Sequence, residues 1–174
     1  MVRHAREDLK LDAWLGSLET VRSIQALAVP PQGFDLVSLV QVIAHFYDLP
    51  AAMAALQTLV RPGGLVLIET WNSASLTART LGSAWHEYNP PNVLHNFTAH
   101  SLDTQMRRIG LQPVAGGRPA KRINAAHLRS ALRHKYGEQG VGRLLQQITA
   151  RLPANLAVPY PAEDLFWRLY RLDR

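Results

Sequence analysis

Residues 34–72, FDLVSLVQVIAHFYDLPAAMAALQTLVRPGGLVLIETWN, constrain the fold more than any other stretch of the chain. Val37, Leu39, Val40, Val42 and Ile43 form a nearly continuous apolar run enriched in β-branched residues. That pattern suits a strand covered on both faces, as in a parallel sheet. Asp48 can cap a helix with Pro50 in its first turn, where the missing N–H costs nothing. Ala52, Leu56, Leu59 and Val60 then share one face at helical spacing, and the helix is expected to stop at Pro62. Gly63 and Gly64 supply turn geometry that other residues resist. LVLIET, residues 65–70, is a second apolar strand. Strand, helix, glycine turn and strand make a βαβ unit, whose crossover should be right-handed.

Around this unit the signals are weaker. Residues 3–10 read as a short helix, Leu11–Leu15 as a short strand ending at Gly16, and Leu18–Leu27 as weakly helical before the break at Pro30-Pro31-Gln32-Gly33. A small helix is expected over Ala74–Leu81, ended by Gly82. Thr98 caps another with Leu102, Met106 and Ile109 on its apolar face, and Gly110 is its expected left-handed end. LQPVA, residues 111–115, is a weak strand. Residues 123–135 and 141–152 read as helices, Gly116-Gly117 as a turn and 137–142 as an interhelix link. LFWRLYRL, residues 165–172, fits a strand and a helix equally by periodicity.

The 174 residues suit about one domain. With 47% apolar residues there is material for a core, and the absence of cysteine excludes disulfides, a thiolate nucleophile and a cysteine zinc site. The charged N-terminus does not resemble a secretory signal, and no apolar run approaches the ~20 residues of a membrane helix, so a soluble cytoplasmic protein is the expectation. The net charge of +6 is uneven: residues 1–109 hold 8 basic and 9 acidic residues, residues 110–174 hold 11 and 4. A basic second half could attract an anionic ligand, though solvated helix faces have the same pattern.

In open α/β sheets ligands bind beyond the C-terminal ends of the strands. Three such ends collect polar or small residues here: Gly16-Ser17-Leu18-Glu19, Gln41-Val42-Ile43-Ala44-His45 and Glu69-Thr70-Trp71-Asn72. Any one of them could be a strand giving way to a loop. Their convergence predicts a site.

GSLE at 16–19, FDLV at 34–37, QVIAH at 41–45, DLPAAMAAL at 48–56, LVRPGGLVLIETWN at 59–72, PPNVLHNFT at 90–98 and SLDTQMRRIGL at 101–111 resemble, in order and spacing, the class I S-adenosylmethionine-dependent methyltransferases. The likeness is greatest to the subgroup that includes the ubiquinone-biosynthesis O-methyltransferases, and covers roughly residues 3–115. It implies a Rossmann-like α/β fold, a mostly parallel sheet with an antiparallel last strand, which favours the strand reading of residues 165–172. It also implies one partial methyltransferase domain, with residues 119–160 a helical insertion before that strand. S-adenosylmethionine is the implied cofactor, with Gly16, Ser17, Leu18 and Glu19 by its adenine and Gln41 and Val42 by its methionine part. Ala44 stands where such families often have an acid, which leaves the role of His45 open.

The implied reaction is methyl transfer to a small molecule, an in-line displacement governed by positioning and desolvation. An oxygen or nitrogen acceptor can need a base, for which His45 and His95 are the candidates. Trp71, Trp85 and Tyr88 could wall the substrate pocket or face the sulfonium, and Asn72, His86 and Asn89 could orient substrate. His95 and His100 lack a carboxylate at ligand spacing, which speaks against a metal site.

The family's first strand, glycine-rich loop and acid-ended second strand are expected ahead of residues 3–10, where Met1 opens this chain. The expectation is therefore the C-terminal part of a longer methyltransferase, the alternatives being a gap filled by another chain or a loss of cofactor binding. Without those strands residues 36–43 become an apolar edge prone to self-association. A non-catalytic partner-binding remnant is one rival. A nucleic-acid-binding domain using Lys121, Arg122, Arg129, Arg133 and Lys135 is another, weakened by the lack of interleaved aromatics. A nicotinamide-dependent oxidoreductase would need the same glycine loop.

Overall fold

A computed structural model of the chain describes residues 1–23, 29–120, 122–126, 129–130, 141–151, 153, 155–159 and 162–173. Met1–Arg118 and Glu163–Arg174 form one compact unit, and Pro119–Ala162 form another.

The first unit is built on a four-stranded sheet. Its strands are β1 (Phe34–Val40), β2 (Val60–Trp71), β3 (Leu111–Gly117) and β6 (Leu165–Leu172), in the order β1-β2-β6-β3. β1 and β2 are parallel, while β6 is antiparallel to both β2 and β3. Three strands thus point one way and the last strand runs against them, an open α/β sheet with the antiparallel last strand that was expected. LFWRLYRL is a strand because it pairs along both edges, Tyr170 lying between Val66 and Pro113.

Helix α1 is Val2–Glu7, α2 Leu49–Leu59, α3 Leu76–Leu81 and α4 Ala99–Arg108. Asp48 caps α2 by accepting the Ala51 N–H, with Pro50 in the first turn. Thr98 and Ser101 exchange bonds in a capping box at the start of α4. On one side of the sheet Leu39, Val66, Ile68, Phe166 and Tyr170 join Met53 and Leu56 of α2 and Leu102 and Met106 of α4 in the core. The alternation of buried and half-exposed positions from Gly64 to Trp71 puts Leu65, Leu67, Glu69 and Trp71 on the other face.

Four local expectations are corrected. Helix α2 ends at Leu59 rather than Pro62: Val60 already pairs with Phe34, and Leu36 pairs with Leu65, so Arg61–Gly64 are accommodated as an irregularity within β2. Leu11–Leu15 is not a strand. Its backbone is taken up by α1, the Leu11 N–H by the Ala5 carbonyl and the Ala13 carbonyl by Arg6, whose guanidinium also lies 4.4 Å from the Trp14 ring centre. Gly116 and Gly117 are not a turn but the end of β3, for a Cβ on Gly117 would stand 3.2–3.3 Å from the Trp167 ring. The helix expected from residue 123 starts later, since Arg122–Asn124 is strand β4, paired antiparallel with β5 (Ala157–Pro159).

That pair and helix α5 (Val141–Ala150) belong to the second unit. The 137–142 link falls mostly outside the described residues, as do Lys121, Arg133 and Lys135. No described helix is long and apolar enough to cross a membrane.

Candidate active site

The C-terminal ends of β1 and β2 are tied to each other. Gln41, the residue after β1, has a φ of +55°, an uncommon conformation for a residue with a Cβ. It is held there by two bonds to one residue at the end of β2. Its N–H donates to the Glu69 carbonyl at 2.8 Å, and its Nε2 donates to the Glu69 carboxylate at 2.9 Å. Two bonds to a single partner over-determine the turn, the circumstance in which such strain persists and marks sites. Val42, 41% exposed, follows and leads into the short 3-10 turn Ile43–His45.

Two segments dock around that turn. The Ala44 carbonyl accepts the N–H groups of Leu94 and His95. The His45 Nδ1–H donates to the Asn92 carbonyl at 2.6 Å, a bond that leaves Nε2 as the bare, proton-accepting nitrogen. His95 is half-buried and donates from Nε2 to the Phe46 carbonyl at 2.8 Å, so it anchors the 90–97 segment. From the other side Glu19 accepts the Tyr47 N–H at 2.9 Å. Its second oxygen, Oε2, is buried with no partner in hydrogen-bonding geometry. The nearby Ser17 hydroxyl, and after it the N–H groups at Tyr47 and Asp48, hold the Glu19 carboxyl below the usual carboxylate range. Leu15 and Gly16 form a bend that leads through Ser17 into a 3-10 helix, Leu18–Ser23, and Leu18 packs on the core.

At the end of β2 an aromatic group forms. The Trp71 and His86 rings meet edge to face at 4.7 Å, and Trp85 lies 6.0 Å from His86. Trp85 is 4% exposed and donates its indole N–H to Asp164 at 3.1 Å. His86 Nε2 is 3.5 Å from the Glu87 carboxylate. Burial pushes the Glu87 carboxyl up; the charges of His86 and His45 act against that rise, and Asp164 adds to it. His86 thus links Trp71, Trp85 and Glu87, and the charge of His45 also acts on the Glu87 carboxyl.

The remaining candidates stand apart. Asn72 is occupied locally, its N–H on the Asp164 carbonyl at 2.6 Å and its side chain accepting the Ala74 N–H. Asn89 uses its carbonyl to close a turn with Asn92 and Val93, and Tyr88 is exposed. Sequence reasoning missed Glu87 and Asp164. The run Trp85-His86-Glu87-Tyr88 held a signal for Glu87, but nothing local marks Asp164, which reaches Trp85 from 79 residues away. Among the described residues no group of three or more His, Asp or Glu could hold a metal ion. A groove of about 580 Å³ lies at the far, N-terminal end of β1 and β2, lined by Asp35, Arg61 and Pro62 among others, and contains none of the candidates.

The raised Glu87 carboxyl has a measurable sign. A carboxyl whose folded value lies above its ordinary 4.5 contributes stability that is present below that value and lost as pH rises through the folded one. Glu87→Gln is therefore expected to raise Tm, relative to the parent, more at pH 7 than at pH 4. A difference that is constant, or larger at pH 4, would show that Glu87 is not desolvated.

Residues 5–115 match the model of a family described as a methyltransferase domain. Over 118 residues the chain is 31% identical to a malonyl-[acyl-carrier protein] O-methyltransferase of Serratia marcescens, covering 60% of this chain and 46% of the relative. Over 96 residues it is 31% identical to a ubiquinone biosynthesis O-methyltransferase of Cereibacter sphaeroides, covering 52% and 39%. The chain thus spans less than half the length of these curated relatives. In fold it is similar to a chain from the complex containing the Haloferax volcanii Trm112 methyltransferase activator, with a TM-score of 0.60, 13% identity, and coverage of 100% of this chain and 68% of that one. A SAM-dependent methyltransferase from Thermotoga maritima gives 0.51 at 14% identity, covering 90% and 61%.

Proposed function

Because the chain belongs to the methyltransferase-domain family, of the class I S-adenosylmethionine-dependent type, we propose that the rim formed by the ends of β1 and β2 carries part of a methyl-transfer site. The observation that carries this reading is the strained turn at Gln41, locked onto Glu69 where two parallel strands end. Such an edge is where open α/β sheets bind ligands.

The residues present fit an adenosyl ligand on one specific point. The Glu19 carboxyl accepts the Tyr47 N–H through Oε1 and is held below the usual carboxylate range by the Ser17 hydroxyl beside it, while Oε2 stays outside hydrogen-bonding geometry and can accept from a ribose hydroxyl or an adenine amino group. Gly16, Ser17 and Leu18 would flank that end, and Gln41 and Val42 the methionine part. When bound, S-adenosylmethionine supplies an electrophilic methyl group. The chain's own contribution is to orient the acceptor and to receive its proton.

His45 suits the second task, since the Asn92 carbonyl fixes its tautomer with Nε2 free to take a proton from an oxygen or nitrogen acceptor. Glu87 would stabilise the imidazolium so formed. Trp71, Trp85 and His86 would wall the acceptor side and exclude water. The acceptor itself is proposed to be a small molecule with an O–H or N–H group.

Calorimetric titration of the chain with S-adenosylmethionine is expected to give saturable heat. Glu19→Gln should weaken binding roughly tenfold or more, the worth of about one hydrogen bond to a charged acceptor. Absence of heat for the parent chain overturns the cofactor reading; equal affinity for the variant overturns the role of Glu19.

A further inference from the structure

Glu163 and Asp164, the two residues that lead into β6, hold a loop to which they do not belong. Leu165, next in the chain, pairs with Trp71 at the end of β2. From Trp71 the chain leaves the sheet, runs through α3 and comes back to the Trp71 ring at His86. This excursion gives four hydrogen bonds to the pair. The Asn72 N–H donates to the Asp164 carbonyl at 2.6 Å, the Leu76 and Thr77 N–H groups to the Glu163 carboxylate at 2.8 and 3.1 Å, and the Trp85 indole N–H to the Asp164 carboxylate at 3.1 Å. The beginning, middle and end of the loop are thereby tied to one point at the start of β6.

Asp164 is 4% exposed, and taking a carboxylate out of water is costly even when it is bonded, so what it places is the better reason for its being there. Trp85 is as deeply buried, which keeps its ring from facing an acceptor. His86, the next residue, has half of its side chain exposed, with its ring edge to face with Trp71 at 4.7 Å and 6.0 Å from Trp85. The tryptophan is the support and the histidine the surface that it presents. Asp164 reaches this group through its charge as well. The Glu87 carboxyl, 3.5 Å from His86 Nε2, is raised first by burial and further by Asp164.

We infer that Asp164 is a positioning residue of the acceptor side: through Trp85 it holds the His86 ring beside Trp71, where His86 touches the acceptor, and Glu163 fixes the start of α3 in the same loop. This role rests on the methyl-transfer reading of the rim and divides its labour. Residues by the Gln41 turn and Glu19 serve the cofactor, while a buried carboxylate at the start of β6 serves the acceptor. A misplacement of about 1 Å in such a group is enough to lower a rate or an affinity, although the group itself is intact.

Proton NMR reads the placement without any ligand. The Trp71 ring should displace the His86 ring-proton resonances of the parent chain from their free positions. Asp164→Ala should move them most of the way back, and Asp164→Asn, whose side-chain oxygen still accepts the indole N–H, should keep them. Phenol or aniline, simple O–H and N–H probes, titrated into the chain loaded with S-adenosylmethionine should shift the same resonances saturably. The probe Kd should rise about tenfold in Asp164→Ala and about threefold in Glu163→Ala, and should be restored in Asp164→Asn. Calorimetric Kd for S-adenosylmethionine should be the same in all of them. Unmoved His86 resonances in Asp164→Ala, or an unchanged probe Kd, overturn the inference and leave the cofactor reading standing. So does a parent chain that binds cofactor while its His86 responds to neither probe. Should Asp164→Ala not fold, Glu163→Ala, altered at a half-exposed side chain, decides by the same titration. Absence of cofactor binding in the parent chain would instead remove the methyl-transfer reading beneath it.

Discussion

Tyr170→Ala is expected to lower the free energy of unfolding by about 3–5 kcal/mol, the range for truncating a fully buried aromatic residue. Tyr170 is 0% exposed in the middle of β6, between β2 and β3, and packs in the cluster that α2 and α4 form over the sheet. Its hydroxyl donates to Asp103 of α4 at 2.8 Å, and Arg168 Nε lies 3.3 Å from the same carboxylate oxygen. The side chain thus fills the core and ties α4 to the sheet. Tyr170→Phe separates the two roles: it keeps the ring and leaves Asp103 with Arg168, so about 1–2 kcal/mol should be lost. Urea unfolding monitored at unchanged m-value measures both. A loss under about 1 kcal/mol for Tyr170→Ala would contradict the buried placement.

The same residue predicts an alkaline response. Burial first, and Asp103 second, push the Tyr170 hydroxyl far above its ordinary value of 10.0. A group raised in the folded state contributes stability that is full below the unfolded value and lost as pH climbs past it. Stability of the parent chain should therefore fall above pH 10, and fall less steeply in Tyr170→Phe.

The parts of the fold legible in the sequence were those whose causes are local. The Asp48 cap, the Thr98 cap and the left-handed Gly110 are each decided within a few residues, and the apolar runs of β1 and β2 needed no partner to be recognised. Elements decided at a distance read differently. LFWRLYRL was ambiguous by period, because its state depends on ladders with residues 65–71 and 111–117. Gly116-Gly117 resembled a turn because the groups that crowd them, the Arg168 side chain at Gly116 and the Trp167 ring at Gly117, come from the far end of the chain.

The candidate site divides along the same line. His45, Trp71, Trp85 and His86 could be picked out as polar and aromatic residues at or just beyond strand ends; Trp71, Trp85 and Glu87 lie around His86, while His45 sits in the turn after β1 and bonds the Asn92 carbonyl. What the chain could not reveal was which neighbours would compete for them. The Asn72 side chain accepts the Ala74 N–H, and the His95 ring donates to the Phe46 carbonyl. Asp164, invisible as a partner, fixes Trp85. Roles for polar residues depend on who else is within about 3 Å, and that is a property of the fold rather than of spacing.

Gly33→Ala should be the most damaging single-methyl addition in the sheet, at about 3 kcal/mol. Gly33 closes the turn from Pro30, its N–H on the Pro30 carbonyl at 2.8 Å, with a φ of +89° that disfavours any side chain. A Cβ there would also stand 2.7 Å from the Arg61 nitrogen, 2.9 Å from the Val60 carbonyl carbon and 3.0 Å from the Leu59 oxygen. All three are backbone atoms where α2 turns into β2, so none can swing aside. Gly63→Ala is the control: φ is again positive, +74°, but the nearest atom is the end of the Arg61 side chain at 3.9 Å, and the conformational cost of about 1–2 kcal/mol should be nearly all that is seen. The two variants together separate backbone conformation from close approach, and thermal unfolding with urea titration reads both. Equal losses would mean that β1 and the start of β2 do not approach as closely as the Phe34–Val60 pairing requires. Since that pairing sets the register that brings Gln41 to Glu69 at the other end of the strands, the loss in Gly33→Ala should be accompanied by weaker S-adenosylmethionine binding, and the loss in Gly63→Ala should not.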